Sequence, residues 1–344
     1  MSNNAMAKQL LSSNDEIIPM KPEIVLDAHR RIKAHINRTP VVLSTMLNDW
    51  LGHEIMFKVE GFQKIGAFKI RGALNVLLTL KEQNNLPKEV VAFSSGNHAQ
   101  AVALASRMMG IKATVIMPEF VSKVKQQATR SYGAELILTK TRQEAEARAS
   151  EFQSRGARLI HPSADDMIIA GQGTACFEAL QDGVEPNAVF AACGGGGLLS
   201  GTWLATQLLA PKVKVFAAEP KMANDAAQSF HSGKIVSFDQ TPMTIADGAR
   251  TLHISELTFH YLKQLAGFYE VEEEQIIYWT QWLQHLLKMN IEPTAAMAMA
   301  AAYAWLKTQK TKQRVLVILS GGNIDAATHH QIWAKDYLEQ VPQI

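Results

Sequence analysis

From Glu89 onward the chain alternates short β-branched and apolar runs with longer amphipathic stretches, the rhythm of parallel strands joined by crossover helices. The pattern predicts strands over residues 90–93, 113–117 and 135–138. It predicts helices over 97–109, 121–131 and 143–154, the last stopped by Gly156. Further along, 188–191, 213–217 and 315–319 read as buried strands, and 198–209 and 273–289 as helices. The class is α/β. Repeated strand-to-helix turns place several helix N-termini at the carboxyl edge of a sheet, where open α/β folds bind ligands. The cluster Asn84, Asn85, Leu86, Pro87, Lys88 is a turn and the expected crossing between two lobes.

At 344 residues the chain is too long for one minimal core, and two interleaved domains are expected. Hydrophobic residues make up 47% and charged residues 19%, the balance of a folded globular protein. A net charge of +2 implies no broad basic face, so neither nucleic acid nor an anionic membrane is expected as a partner; a small molecule is. Two cysteines, Cys176 and Cys193, give no pairing framework and no metal-ligand spacing, which points to a reducing compartment and the cytoplasm. The longest apolar run, residues 294–306, would make a helix of roughly 20 Å, short of the hydrocarbon thickness. The polar start is unlike a signal peptide, and Met6 marks residues 1–5 as a vector-like prefix.

Gly194, Gly195, Gly196 and Gly197 follow a predicted strand and precede a predicted helix. Four residues without Cβ thus present amides at a helix start, where phosphate fits; a mere tight turn would not need four glycines. Leu199 and Ser200 stand where a dinucleotide fingerprint needs its third glycine. Gly61 and Gly66 have P-loop spacing, but Ala67 and Phe68 replace its Lys and Ser/Thr. Ala92 breaks the hydrolase elbow ahead of Ser94 and Gly96.

Lys69 lies among apolar residues at the start of a helix, in Gly66-Ala67-Phe68-Lys69-Ile70-Arg71-Gly72-Ala73. Desolvated there, it is a nucleophile toward an aldehyde; as a snorkelling surface lysine it is nothing of the kind, and these residues alone leave both readings open. Ser94-Ser95-Gly96-Asn97-His98 and Ser320-Gly321-Gly322-Asn323 each follow a strand, and each alone is also a cap or a turn.

Together, in this order, these segments resemble the fold-type II pyridoxal phosphate enzymes, in particular the serine/threonine dehydratase and serine racemase branch. The resemblance runs from Arg38-Thr39-Pro40 to Ser320-Gly321-Gly322-Asn323. It implies a tryptophan synthase β-like fold of two three-layer α/β/α lobes with mostly parallel sheets. Residues 1–85 and 162–344 would form the large cofactor-binding domain, and 86–161 a small mobile one. It implies that Lys69 carries the cofactor as a Schiff base and takes the Cα proton. Phe68 would pack on the ring, Asn97 bond the 3′-oxygen, the Gly194 to Gly197 loop hold the phosphate and Ser320 face the pyridine nitrogen. Ser94 and Ser95, with the backbone around Asn97 and His98, would receive the substrate carboxylate. In racemases of the branch the residue matching Ser95 exchanges the proton on the face opposite the lysine. A hydroxyl at Ser320 gives the ring nitrogen no reason to hold a proton, which favours early loss of the β-hydroxyl. One departure is Ala67, where many relatives carry serine; it removes a hydroxyl and leaves Lys69 in place.

The expected activity is dehydration of L-threonine, L-serine or a close β-hydroxy amino acid to a keto acid and ammonia. Serine racemase with side dehydratase activity and 3-hydroxyaspartate ammonia-lyase are the alternatives. A binding protein without turnover is a third, against which the presence of Lys69 speaks. The family's Mg²⁺, Mn²⁺ or Ca²⁺ site matches Glu219, the Ala223 carbonyl and Asp225, all hard oxygen donors; two surface acids near a helix start are the plain alternative. Asp247 lies in a further stretch that resembles the family, without an assigned role. Glu292-Pro293-Thr294 matches a segment near the cofactor, although Glu292 is also an ordinary acid before a proline-led helix. A homodimer or dimer of dimers is expected by the same analogy. The 21 residues after Asn323 fit the short, catabolic form.

Overall fold

The computed structural model describes residues 18–94, 96–119, 121 and 123–344; the prefix read at residues 1–5 lies outside them. The strands are β1 (Val41–Leu43), β2 (Glu54–Val59), β3 (Glu89–Phe93), β4 (Lys112–Pro118), β5 (Glu135–Thr139), β6 (Arg158–Leu159), β7 (Ala188–Ala192), β8 (Lys214–Pro220), β9 (Gly267–Val271) and β10 (Arg314–Leu319). The first six helices are α1 (Glu23–Ile32), α2 (Thr45–Leu51), α3 (Lys69–Glu82), α4 (Asn97–Met109), α5 (Lys123–Ser131) and α6 (Arg142–Ser154). They are followed by α7 (Asp166–Gln181), α8 (Gly197–Leu209), α9 (Asp225–Ser232), α10 (Glu256–Leu262), α11 (Glu273–Leu287), α12 (Pro293–Leu306) and α13 (Ala326–Ile332).

Two sheets result. The larger runs β1-β2-β10-β7-β8-β9 and is parallel except where β1 meets β2; the smaller runs β5-β4-β3-β6, all parallel. Apolar alternation serves both faces of the larger sheet. Phe190, Val315, Val317 and Leu319 enter a core with Trp279 and Trp305, while Val189, Ala191, Leu316 and Ile318 enter another with Phe177 and Leu204. A sheet covered on both sides is the setting in which parallel strands are stable. The smaller sheet is covered likewise: Val90, Ala92 and Val115 pack with Leu74 and Val102, and Val91 and Ile116 with Ala145 and Ala149.

Helices α3, α7 and α8 meet backbone to backbone. A Cβ at Gly171 would stand 2.5 Å from the Arg71 carbonyl oxygen, one at Gly173 2.5 Å from that of Gly201, and one at Gly201 2.3 Å from that of Ile169. The helix at 121–131 begins two residues later than its sequence predicts, at Lys123, and that at 273–289 ends at Leu287, with Lys288 left-handed at its C-cap. None of the described helices is long and apolar enough to cross a membrane.

Candidate active site

Lys69 is placed by a short ladder between the chain entering α3 and the end of β10. Ala67 pairs with Gly321, the Phe68 amide donates to the Ser320 carbonyl at 3.1 Å, and the Gly322 amide donates to the Gly66 carbonyl at 3.0 Å. The segments holding Lys69 and Ser320, about 250 residues apart in the chain, are therefore neighbours. Lys69 Nζ donates to the Pro162 carbonyl at 2.8 Å and lies 4.9 Å from the centroid of the Phe68 ring. The side chain keeps partial access to solvent, yet protein surrounds its amine. That desolvation, only partly opposed by the Glu292 carboxylate, brings the ammonium from 10.5 down to about 8.

The glycine loop lies against the residues that follow Pro162. A Cβ at Gly195 would stand 2.4 Å from Ser163 Oγ, and one at Gly197 2.5 Å from Gln172 Oε1. Gln172 Nε2 donates to the same Pro162 carbonyl as Lys69, at 3.1 Å, while its Oε1 is buried without a partner among the described residues. Gly196 has φ of +82° and N-caps α8, so the loop turns sharply into the helix; the first-turn amides have no intrahelical acceptor and face outward. Ser320 Oγ is also buried without a partner among the described residues.

Asn97 opens α4, and its Nδ2 donates to both oxygens of Glu292, at 3.0 and 3.2 Å, while its Oδ1 accepts from Asn323 Nδ2 at 2.8 Å. Burial and the nearby Asp247 charge push the Glu292 carboxyl up to about 7, against the bonds from Asn97 and the Asn323 backbone. Asp247 itself pairs with Lys125 of α5, a contact between the flanks of the two sheets.

Ser94 Oγ accepts from the Gly96 amide at 3.3 Å, beside the start of α4. Ser95 lies outside the described residues. The His98 ring points away from the loop, to the Ile160 carbonyl, 2.8 Å from Nε2; burial first and then the Lys69 charge take it down to about 3, so the ring is neutral.

Glu219, Ala223 and Asp225 form a separate, fully buried group just behind Cys193, which precedes the glycine loop. Glu219 accepts from the Ala226 and Ala227 amides at 3.2 and 2.7 Å, and Asp225 Oδ1 from Thr251 at 3.1 Å, while Asp225 Oδ2 has no partner among the described residues. Burial and the Asp225 charge push the Glu219 carboxyl well above its usual range, and burial takes Asp225 to about 7.

Four charges beneath Lys69 escaped the sequence reading. Arg71, on the same helix, binds Glu60 at 2.7 and 2.8 Å and Glu178 twice at 2.8 Å, and Lys58 Nζ binds Glu178 at 2.7 Å, all buried. Two cations thus balance two carboxylates. Only the Gly-Ala run after Arg71 signalled a tightly packed helix; the partners lie too far off in sequence to be seen.

A family described as "pyridoxal-phosphate dependent enzyme" matches residues 32–321. The L-threo-3-hydroxyaspartate ammonia-lyase of Saccharomyces cerevisiae is 43% identical over 306 residues, 88% of this chain and 92% of that protein. A serine racemase of Schizosaccharomyces pombe is 41% identical over 315 residues, 91% of this chain and 97% of the other. Among solved structures, a threonine deaminase from T.th. superposes with a TM-score of 0.83 at 40% identity, covering 89% of this chain and 99% of its own. Maize serine racemase gives 0.86 at 35%, covering 92% and 98%.

Proposed function

This chain belongs to the pyridoxal-phosphate dependent enzymes, and from that premise we propose that it is an ammonia-lyase that removes water and then ammonia from a β-hydroxy amino acid. The observation that carries the reading is the Lys69 amine, desolvated toward neutrality and enclosed by Phe68, the Pro162 carbonyl and the segment bearing Ser320. The 43% identical ammonia-lyase and the threonine deaminase structure support substrates among 3-hydroxyaspartate, threonine and serine.

The residues fit the cofactor. Gly195 and Gly197 let the loop close onto Ser163 and Gln172, where a Cβ would collide, the free amides at the start of α8 suit the cofactor phosphate, and the buried Ser320 hydroxyl has no partner among the described residues. In this reading Lys69 holds the group covalently, Phe68 packs on its ring, Asn97 bonds its 3′-oxygen, Gly194, Gly195, Gly196 and Gly197 hold the phosphate, and Ser320 meets the ring nitrogen. When bound, pyridoxal phosphate supplies the electron sink that makes the substrate Cα–H acidic. Lys69 Nζ, with a proton affinity near neutrality, takes that proton and releases it again in the same pH range. Ser94 and the amides at the start of α4 receive the substrate carboxylate; the His98 side chain, committed to Ile160, contributes only its backbone. The serine racemases among the relatives favour a second reading, in which Ser95 works the opposite face of Cα.

Glu219, the Ala223 carbonyl and Asp225 fit a divalent cation such as Mg²⁺, Mn²⁺ or Ca²⁺. Burial raises the proton affinity of both carboxylates, the Asp225 charge raises that of Glu219 further, and one Asp225 oxygen has no partner among the described residues. The two lobes, 1–85 with 162–344 and 86–161, close over the substrate, and the enzyme works as a homodimer or homotetramer in the cytoplasm. A panel of L- and D-hydroxy amino acids, followed for keto acid, ammonia and chirality together, tests the reading. Keto acid and ammonia in equal amounts are expected; inversion without keto acid would replace elimination by racemisation.

A further inference from the structure

The polarity of the Asn323–Asn97–Glu292 chain is set at one end by a backbone carbonyl. Ile65 O only accepts, so the Asn323 atom 2.7 Å from it is Nδ2. The same nitrogen lies 2.8 Å from Asn97, which must therefore turn Oδ1 toward it. Asn97 Nδ2 is left to face the Glu292 carboxylate, an acceptor. Neither amide is then free to flip. Both Asn323 hydrogens are in use, Glu292 draws on one hydrogen of Asn97 Nδ2, and one N–H of Asn97 remains uncommitted along this chain.

The backbone makes room for the arrangement. Ile65, a β-branched residue, is held at φ +67°, which is costly outside glycine. A Cβ at Gly66 would stand 2.6 Å from Asn323 Oδ1, and one at Gly321 2.8 Å from Glu292 Oε1. Both side chains occupy space that only glycine leaves open.

We propose that Asn323 is a positioning residue, which fixes Asn97 in the one amide orientation that leaves an N–H free for the 3′-oxygen of the cofactor. This rests on the reading of Asn97 given above. Asn323 touches no reacting atom in this account; it acts through Asn97.

The test is a spectrophotometric pH titration of the bound cofactor in the wild-type holoenzyme and in Asn97→Ala, Asn323→Ala, Asn323→Asp and the Asn97→Ala/Asn323→Ala pair, with thermal unfolding of each. Losing a donor to the 3′-oxygen raises the proton affinity of the chromophore. Asn97→Ala should move the midpoint upward by about one pH unit. Asn323→Ala should move it the same way, and the double variant should equal Asn97→Ala alone, as expected of residues acting in series. Asn323→Asp keeps the size but sets an acceptor against two acceptors, and should shift the midpoint even if the alanine variant does not fold. A shift in Asn97→Ala with none in either Asn323 variant, or additive shifts in the pair, would overturn the inference alone. An unmoved midpoint in Asn97→Ala would overturn the reading of Asn97, and this inference with it.

Discussion

Raising the pH of the cofactor-free protein toward 8 should speed its capture of pyridoxal phosphate in proportion to the neutral fraction of Lys69. Burial takes this amine from 10.5 to about 8. At pH 7 roughly one amine in ten is then neutral, against about three in ten thousand for an ordinary lysine, a gain of roughly 300-fold. Stopped-flow absorbance after mixing with the cofactor, from about pH 6 to about pH 9.5, reads the rate. Borohydride reduction and peptide mapping then locate the attachment. A midpoint near 8 with the tag on Lys69 is expected; a rate still climbing at the alkaline end, or a tag on another lysine, would refute the reasoning. The same shift bears on stability. Because the folded value lies below the unfolded one, the folded chain binds fewer protons between pH 8 and 10.5, and stability rises with pH across that window. Below it the lysine costs up to about 3 kcal/mol. Lys69→Met should therefore raise the Tm of the cofactor-free protein at neutral pH, with the advantage fading toward pH 10.5.

Three further outcomes follow from the geometry. Gly195→Ala puts a methyl 2.4 Å from Ser163 Oγ and should weaken pyridoxal phosphate binding about tenfold in a fluorescence titration, with Ser163→Gly restoring much of the loss. Arg71→Met leaves two buried carboxylates, Glu60 and Glu178, to share Lys58, and should cost about 3–5 kcal/mol in denaturant unfolding. Mg²⁺ should raise the Tm of the wild type and not of Asp225→Asn, and the effect should fade as pH falls through about 7, where Asp225 takes up its proton.

The glycine loop and the Lys69 segment were legible because their chemistry is local: four adjacent glycines, and a lysine among apolar residues at a helix start. Strands β3, β4, β5, β7, β8 and β10 were legible from their apolar runs, whereas β2, β6 and β9 were not read. Helix α7 was not, since it is buried nearly all round and shows no amphipathic period. Lys69 remained ambiguous in sequence because its desolvation depends on Pro162, which lies 93 residues away. Glu292 looked like an ordinary acid before a proline-led helix; only the fold sets it against Asn97 and over Gly321. The turn of the His98 ring toward Ile160 likewise depends on a contact 62 residues distant.

Where α3 meets α7 at Gly171, and α7 meets α8 at Gly173 and Gly201, the backbones lie too close for one helix to slide along the other without lifting away. The pedestal under Lys69 is consequently a fixed datum of the molecule. Any shift that admits a substrate would then fall to elements that do not share these crossings.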